Sequence, residues 1–472
     1  MNHFTKVAPL QRTRQALRNH CIQSQSRWSQ TARRSFSSSF SRHTDGVFRE
    51  LTSMRVRTPW VEALRAQQQG GQQSGKPAGK PELPKNRDLP PKKRMSDSFH
   101  SVVLPLARDP WLLDTYLNSS GHIRLGTIFM DLDALSGVIA YKHTGEDVTT
   151  VTASCDRITI HHPLDEICDL QLSGRVTYAT GRSSLEITMQ VAKAPQEGET
   201  VKDTDVLINC TFTMVSLDPN TKKPVNVSGL IVETEEEKRL YALGERNSQI
   251  RKERRNTSLI KHTPNDLESD LIHAFWQKQL QYHDPHDAVR KPDNLHFMDT
   301  TKLQTALLMQ PQYRNRHHFM IFGGFLLKQT FELAFTTAAA FAHARPTFVS
   351  LDPSTFLNPV PVGSILYMTA HVVYTDPPLI GAPGEQFEEN VEYTRVQIRV
   401  DTKVRDVEHG HSKPTGQFNY TFNVPKNIRV MPRTYQEFMY YLEARRRAEQ
   451  VRRTLDEGVS VSPRQAAESL TE

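Results

Sequence analysis

A carboxylate set in an otherwise apolar helix is the first residue of this chain with chemical promise. Asp133 falls seven positions after Gly126, about two helical turns in, within Leu125-Gly-Thr-Ile-Phe-Met-Asp-Leu-Asp133-Ala-Leu-Ser-Gly-Val-Ile-Ala140. A buried carboxylate without a partner is costly. Asp133 is therefore expected to act as a general base toward water or as a nucleophile, or else to satisfy a nearby backbone group or an arginine. Asp131, which faces elsewhere, is expected to be structural. The glycine that opens the helix allows close approach to backbone N–H groups able to hold negative charge developing on a carbonyl oxygen.

The same element returns 198 residues later, where Gly324 matches Gly126 in Gly323-Gly-Phe-Leu-Leu-Lys-Gln-Thr-Phe331-Glu-Leu-Ala-Phe-Thr-Thr-Ala338. Phe331 stands at the acid position and can neither take a proton nor attack, so two half-sites built on these helices are not expected to be equivalent. Downstream, Asp156, His162-Pro163 and Val176-Thr177-Tyr178 match Asp352, Asn358-Pro359 and Val372-Val373-Tyr374 at a constant offset of 196. Leu185-Glu186-Ile187-Thr188 matches Val391-Glu392-Tyr393-Thr394 at offset 206, with an insertion between Pro377 and Glu389. A unit duplicated at domain scale is the frame for the whole chain.

Each copy reads as a long apolar helix followed by an antiparallel meander. Helices are expected at Pro110–Tyr116, Thr127–Tyr141 and Gly324–Ala342, and strands at 148–160, 169–180, 184–193 and 205–216, then at 347–356, 365–375, 391–404 and 417–423. Between the copies, Glu233 to Arg255 begins acidic and ends basic, as suits a helix macrodipole, and is read as a solvated connecting helix. A final helix from Thr434 to Leu455 is read as a docked tail. The expected domains are 96–232 and 271–428, with 233–270 as connecting helix and linker and 429–472 as a charged C-terminal helix and tail.

Charge divides unevenly along the chain. Residues 1–95 hold 19 lysines and arginines against 5 acids, while residues 96–472 hold 40 against 47. The folded body is thus mildly acidic, which argues against nucleic acid as a partner. Residues 1–45, rich in arginine and serine and without an acid before Asp45, carry the signature of a mitochondrial presequence. Residues 46–95 are read as a disordered linker, and no apolar run reaches the roughly 18 residues of a membrane span. Cys21, Cys155, Cys168 and Cys210 show no CxxC pairing and are expected to be reduced. His283-Asp284-Pro285-His286-Asp287 has a metal-like composition but lies in a proline-containing connector and is read as a plain loop. There is no Gly-x-Ser-x-Gly elbow, phosphate loop or dinucleotide fingerprint.

A central helix wrapped by an antiparallel sheet, twice in one chain, is an α+β arrangement of two tandem hotdog domains. The residues make the likeness specific. Asp97-Ser98-Phe99, Leu104-Pro105-Leu106, and Ile123-Arg124-Leu125-Gly126 running into Asp131-Leu132-Asp133 resemble the first domain of the mitochondrial acyl-CoA thioesterases of the thioesterase 9 type. Arg314-Asn315-Arg316-His317, Ile321-Phe322-Gly323-Gly324-Phe325-Leu326, Arg345-Pro346 and Pro361-Val362-Gly363-Ser364 resemble the second.

The resemblance, which covers about residues 96–425, implies hydrolysis of acyl-CoA to free acid and CoA in mitochondria, in the matrix. It implies no cofactor and no metal, and a homo-oligomer, a trimer of double-hotdog chains. The catalytic acid of relatives lies at the position of Asp133, Gly324 would donate to the oxyanion, and a polar residue of the loop before the second Gly-Gly would complete the site. That loop offers Asn315, His317 and His318. His318 stands near where relatives have Asn, and Phe322 where many have His. Glu332, one residue past the acid position, is a second acid or a helix-pairing residue. A CoA thiol leaves readily, its pKa being about 8 to 9, so one carboxylate suffices. A non-catalytic acyl-CoA sensor or scaffold and a 2-enoyl-CoA hydratase are the alternative readings on the same fold.

Overall fold

The computed structural model describes residues 59–62, 64–65, 90–162, 166–196, 199–219, 221–283, 286, 289–315, 319–381 and 391–456. The expected presequence, most of the linker, His317, His318 and the end of the tail lie outside these residues.

The first copy runs β1 (Lys93–Arg94), β2 (His100–Leu104), α1 (Pro110–Tyr116), α2 (Leu125–Thr144), β3 (Thr149–Ile160), β4 (Leu170–Ala179), β5 (Ser184–Lys193), β6 (Val206–Leu217), β7 (Leu230–Ile231) and α3 (Glu235–Asn256). After α4 (Asp266–His283) the order repeats as β8 (Leu295–Phe297), β9 (Leu303–Leu308), α5 (Gly323–Ala342), β10 (Thr347–Phe356), β11 (Ile365–Asp376), β12 (Thr394–Arg405), β13 (Ser412–Val424), β14 (Arg429–Met431) and α6 (Tyr435–Asp456). Even irregularities repeat. The ladders of β4 and β11 are displaced between Val176 and Tyr178 and between Val372 and Tyr374, again 196 residues apart.

Ten strands form one sheet in the order β2-β4-β5-β6-β3-β10-β13-β12-β11-β9. The meander expected after each central helix is modified, because β3 and β10 lie beyond β6 and β13 at the inner end of each half. There they pair antiparallel, Leu351 opposite Ile158 and Ser354 opposite Cys155, and join the two halves. Every residue of α2 from Gly126 to Ala140 is buried, which is why the helix is apolar all round. Helix α5 buries one face and leaves Lys328 and Glu332 partly exposed. The two central helices run side by side and antiparallel, in closest approach at their glycines. A Cβ on Gly324 would lie 2.8 Å from the Met130 carbonyl oxygen, a backbone atom that cannot step aside.

Helix α3 differs from its reading as a solvated connector. It docks on the sheet face opposite α2, where a Cβ on Gly244 would lie 2.4 Å from the Cβ of Tyr178. Glu186, which alternates on β5 with the core residues Leu185 and Ile187, points to that face. It accepts from Asn247 at 3.0 Å and from Arg251 at 2.9 Å, and Arg251 also pairs with Asp156. Helix α6 is the counterpart in the second copy. Thr234 with Glu237 and Thr434 with Glu437 form N-terminal capping boxes 200 residues apart. Each outer helix therefore belongs to its repeat. The composition of α3 concealed this, because its docking relies on one glycine and on ion pairs rather than an apolar stripe. Helix α4, which the sequence reading split between linker and domain, packs Phe275 on Tyr441 of α6 with centroids 5.0 Å apart.

Burial, and next the neighbouring Asp156, push the Glu186 carboxyl up from 4.5 to about 7, against the pull of Arg251. The folded protein thus binds this proton more tightly than the unfolded chain. Glu186 contributes stability below pH 4.5 that is lost as the pH rises to about 7. The Glu186→Gln variant is expected to flatten the pH profile of unfolding in that window, by about 1.4 kcal/mol for every tenfold difference in proton affinity that it abolishes. Paired unfolding curves at pH 5 and pH 8 check this; an unchanged slope contradicts it.

Candidate active site

The apolar surroundings of α2 carry Asp133 to the one place where it meets the other copy. Its Oδ2 accepts the Gly324 N–H at 2.7 Å, and its Oδ1 accepts the Thr152 hydroxyl of β3 at 2.8 Å. The carboxylate, only 2% exposed, lies at the N-terminus of α5, where first-turn N–H groups have no helical partner and the macrodipole favours negative charge. Gly323 permits the approach. A Cβ there would lie 3.1 Å from Asp133 Oδ2 and 3.5 Å from the ring of Phe356.

Of the expected residues, Asp133 and Gly324 are brought together. The Gly324 N–H, expected to donate to an oxyanion, donates to the Asp133 carboxylate here. Asn315 lies in the loop leading to α5, its N–H donating to the Met320 carbonyl oxygen at 2.8 Å. Asn118 holds the same place before α2, its N–H donating to the carbonyl oxygen of His122 at 2.8 Å. His318 and His317 fall outside the described residues. Glu332 is not part of this site. It pairs with Arg124 at the N-terminal end of α2, and the eight residues from Gly324 to Glu332 separate it from the Asp133 end by about 12 Å along the helix. Asp131, as expected, has a structural partner in the Tyr116 hydroxyl.

Thr152 escaped the sequence reading, since nothing in the local pattern of a strand distinguishes one threonine from its neighbours. The repeat does carry a signal for it. At the offset of 196 Thr152 corresponds to Phe348, just as Asp133 corresponds to Phe331, so both polar groups become phenylalanines in the second copy. Those rings touch at 5.4 Å, and Phe331 also meets Phe129 at 5.3 Å and Tyr420 at 5.8 Å. An aromatic cluster thus fills the pseudo-symmetric position beside Gly126, from which Phe331 Cδ1 would lie 3.3 Å if a Cβ were added. Among the described residues, one chain holds one Asp–Thr–glycine arrangement.

Other reactive groups nearby are poor candidates. Burial pushes the Cys155 thiol well up, which leaves no thiolate for nucleophilic attack. Cys155 and Cys210 are buried and free, and Cys168 is half-buried and free. Among the described residues no group of three His, Cys, Asp or Glu side chains could hold a metal ion, and no helix is long and apolar enough to cross a membrane.

No protein-family model matches the chain. Human mitochondrial acyl-coenzyme A thioesterase 9 is 32% identical over 376 residues, which make up 77% of this chain and 80% of that protein. The chain belongs to this thioesterase family. Mouse mitochondrial acyl-coenzyme A thioesterase 10 is 31% identical over the same length, and the chloroplastic acyl-coenzyme A thioesterase 2 of Humulus lupulus is 32% identical over 361 residues, 74% of this chain and 79% of that protein. Among solved structures, an acyl-CoA hydrolase of Staphylococcus aureus in complex with butyryl-CoA and CoA is 25% identical, covering 38% of this chain and 99% of its own, with a TM-score of 0.29. The asymmetry of the two halves is a property of this chain that its own residues display.

Proposed function

We propose that the chain hydrolyses acyl-CoA to free acid and CoA at a single site between its two hotdog domains, in the mitochondrial matrix. The observation that carries this reading is the Asp133 carboxylate held between the Gly324 N–H and the Thr152 hydroxyl at the N-terminus of α5. Membership of a family whose human and mouse members are named mitochondrial thioesterases supports the substrate and the compartment.

In this mechanism the thioester carbonyl enters at the helix N-terminus, and its oxygen is held by first-turn N–H groups, Gly324 sharing its hydrogen between Asp133 and substrate. Asp133 takes a proton from water as the water oxygen adds to the carbonyl carbon. Collapse of the tetrahedral intermediate breaks the carbon–sulfur bond and expels the CoA thiolate, which takes up the proton that Asp133 had accepted and so restores the carboxylate. If Asp133 instead attacks directly, a mixed anhydride forms and water cleaves it; a burst of CoA in the first turnover marks that route. The oligomer in this reading is a trimer of double-hotdog chains, which the mass in solution checks.

Release of free CoA from short, medium and long acyl-CoAs by the full chain tests the activity. Turnover of at least one class is expected, whereas tight binding with no turnover at any length would assign the fold to a sensor or scaffold. Thr152→Val removes one hydrogen bond to a charged group, worth about 1.5–3 kcal/mol, and is expected to lower kcat roughly ten- to hundredfold with KM little changed. An unaltered kcat would remove Thr152 from the site.

A further inference from the structure

The outer face of the sheet, away from Asp133, carries a second concentration of charge where α3 and α6 meet over the strands beside the β3–β10 seam. Carboxylates and arginines gather there, and their pairing is uneven. Arg251 takes both Asp156 and Glu186. Arg399 takes both Asp401 and Glu443, each at 2.8 Å. Asp352 is left, buried and accepting from the Thr421 hydroxyl at 3.2 Å and the Ser350 hydroxyl at 3.4 Å. The guanidiniums of Arg157, Arg254 and Arg447 therefore share this one remaining carboxylate, and among the described residues none of the three forms an ion pair.

The three are close together and poorly satisfied. Arg254 on α3 spends its Nε and Nη2 donors on a single neutral oxygen, Gln450 Oε1 of α6, at 2.9 and 2.7 Å. Arg447 on α6 donates no hydrogen bond to a described residue although its Nε is buried, and the same holds for Arg157 on β3. Buried donors are normally satisfied. The charge of Arg157 reaches Arg254, and that of Arg254 reaches Arg447. Burial first, and then these repulsions, pull Arg447 down from 12.5 to about 10 against Asp352 and Glu443. The repeat shows how the imbalance arises. At the offset of 200 set by the two capping boxes, Arg447 stands where α3 has Asn247, and Gln397, opposite Tyr374, stands where Glu186 lies opposite Tyr178. The first copy thus pairs an amide with an acid, Asn247 donating to Glu186 at 3.0 Å, whereas the second copy carries an arginine and an amide at these positions.

We propose that the junction of α3 and α6 is a binding site for a small phosphate-class oxyanion, held by the guanidiniums of Arg254 and Arg447 from the two helices and of Arg157 from the strand beneath them. A planar guanidinium presents paired N–H donors that match the oxygens of such an ion. Arg254 and Arg447 are each half-buried, so the ion reaches them from solvent. Once bound, it ties the outer helix of one copy to that of the other, across the seam where β3 and β10 already join them. Asp133, on α2, lies on the opposite side of the sheet, so this site is separate from the acyl-CoA site.

The test titrates the full chain with inorganic phosphate and with glycerol 3-phosphate, ionic strength being held constant with sodium chloride, and follows Tm beside calorimetric binding. Arg447→Gln and Arg254→Gln are compared with Lys252→Gln, which removes an exposed charge from α3. Arg447→Gln deletes a cation that has no hydrogen-bond partner in the protein, so its fold should persist, and its Tm without added anion checks this. The expected result is a saturable rise in Tm for the wild type, with affinity roughly ten- to hundredfold weaker in Arg447→Gln and Arg254→Gln, the effect of losing a hydrogen bond between charged groups, and unchanged in Lys252→Gln. Tighter binding of glycerol 3-phosphate assigns the site to a phosphate monoester, and tighter binding of inorganic phosphate assigns it to the free ion. The site is overturned if neither anion acts beyond chloride, if Arg447→Gln binds as the wild type does, or if Lys252→Gln loses as much as the other two. Neither readout uses turnover, so failure of the thioesterase reading leaves this result standing.

Discussion

Asp133→Asn is expected to lower kcat for acyl-CoA by roughly a hundred- to ten-thousandfold, the range for loss of a positioned general base, while substrate binding persists. The amide matches the carboxylate in shape, so it can still accept from either Gly324 N–H or Thr152, the two donors that hold it now. What it loses is the ability to take a proton from water or to attack. Binding should survive because the first-turn N–H groups of α5 and the surrounding walls are untouched. Parallel measurement of CoA release and of equilibrium binding separates the two effects. Equal turnover in variant and wild type would move the chemistry to the loop of Asn315, His317 and His318.

Phe331→Ala is expected to do the reverse. Phe331 is 8% exposed and packs on Phe129, Phe348, Tyr420 and Phe422, all with centroids within 6.0 Å. Deleting a ring so enclosed costs about 3–5 kcal/mol. Turnover per folded chain should stay near wild type, since the seven residues from Gly324 to Phe331 place it about 10 Å along α5 from the Asp133 end. Denaturant unfolding beside CoA release decides this. A stability loss below about 1 kcal/mol, or a collapse of kcat in folded protein, would mean that the second half-site does more than fill space.

The contrast between these variants follows from features that the sequence displays to different degrees. Duplication was legible because Gly126 and Gly324, and Asp156 and Asp352, keep nearly constant offsets. Asp133 was legible because a carboxylate on a helix with no polar face must be buried, as Asp131 on the same helix also is. The identity of its partners was not, because contacts between separate elements leave no local periodicity: Thr152 comes from the next strand and Gly324 from the other copy. Glu332 differs from the acid position by a rotation of about 100° on the helix, and only the placement of Arg124 shows where that rotation aims it. The docking of α3 through Gly244 and Arg251 was hidden for a related reason, since a charged helix that meets buried acids looks like one that meets water.

The most direct test of a single site per chain is the calorimetric stoichiometry of intact acyl-CoA binding to the Asp133→Asn chain, with the thioester recovered afterwards. One acyl-CoA bound per chain and recovered unhydrolysed is the result this account predicts. Two per chain would show that the Phe331 half also takes substrate, and hydrolysis of the recovered thioester at the wild-type rate would contradict the role of Asp133.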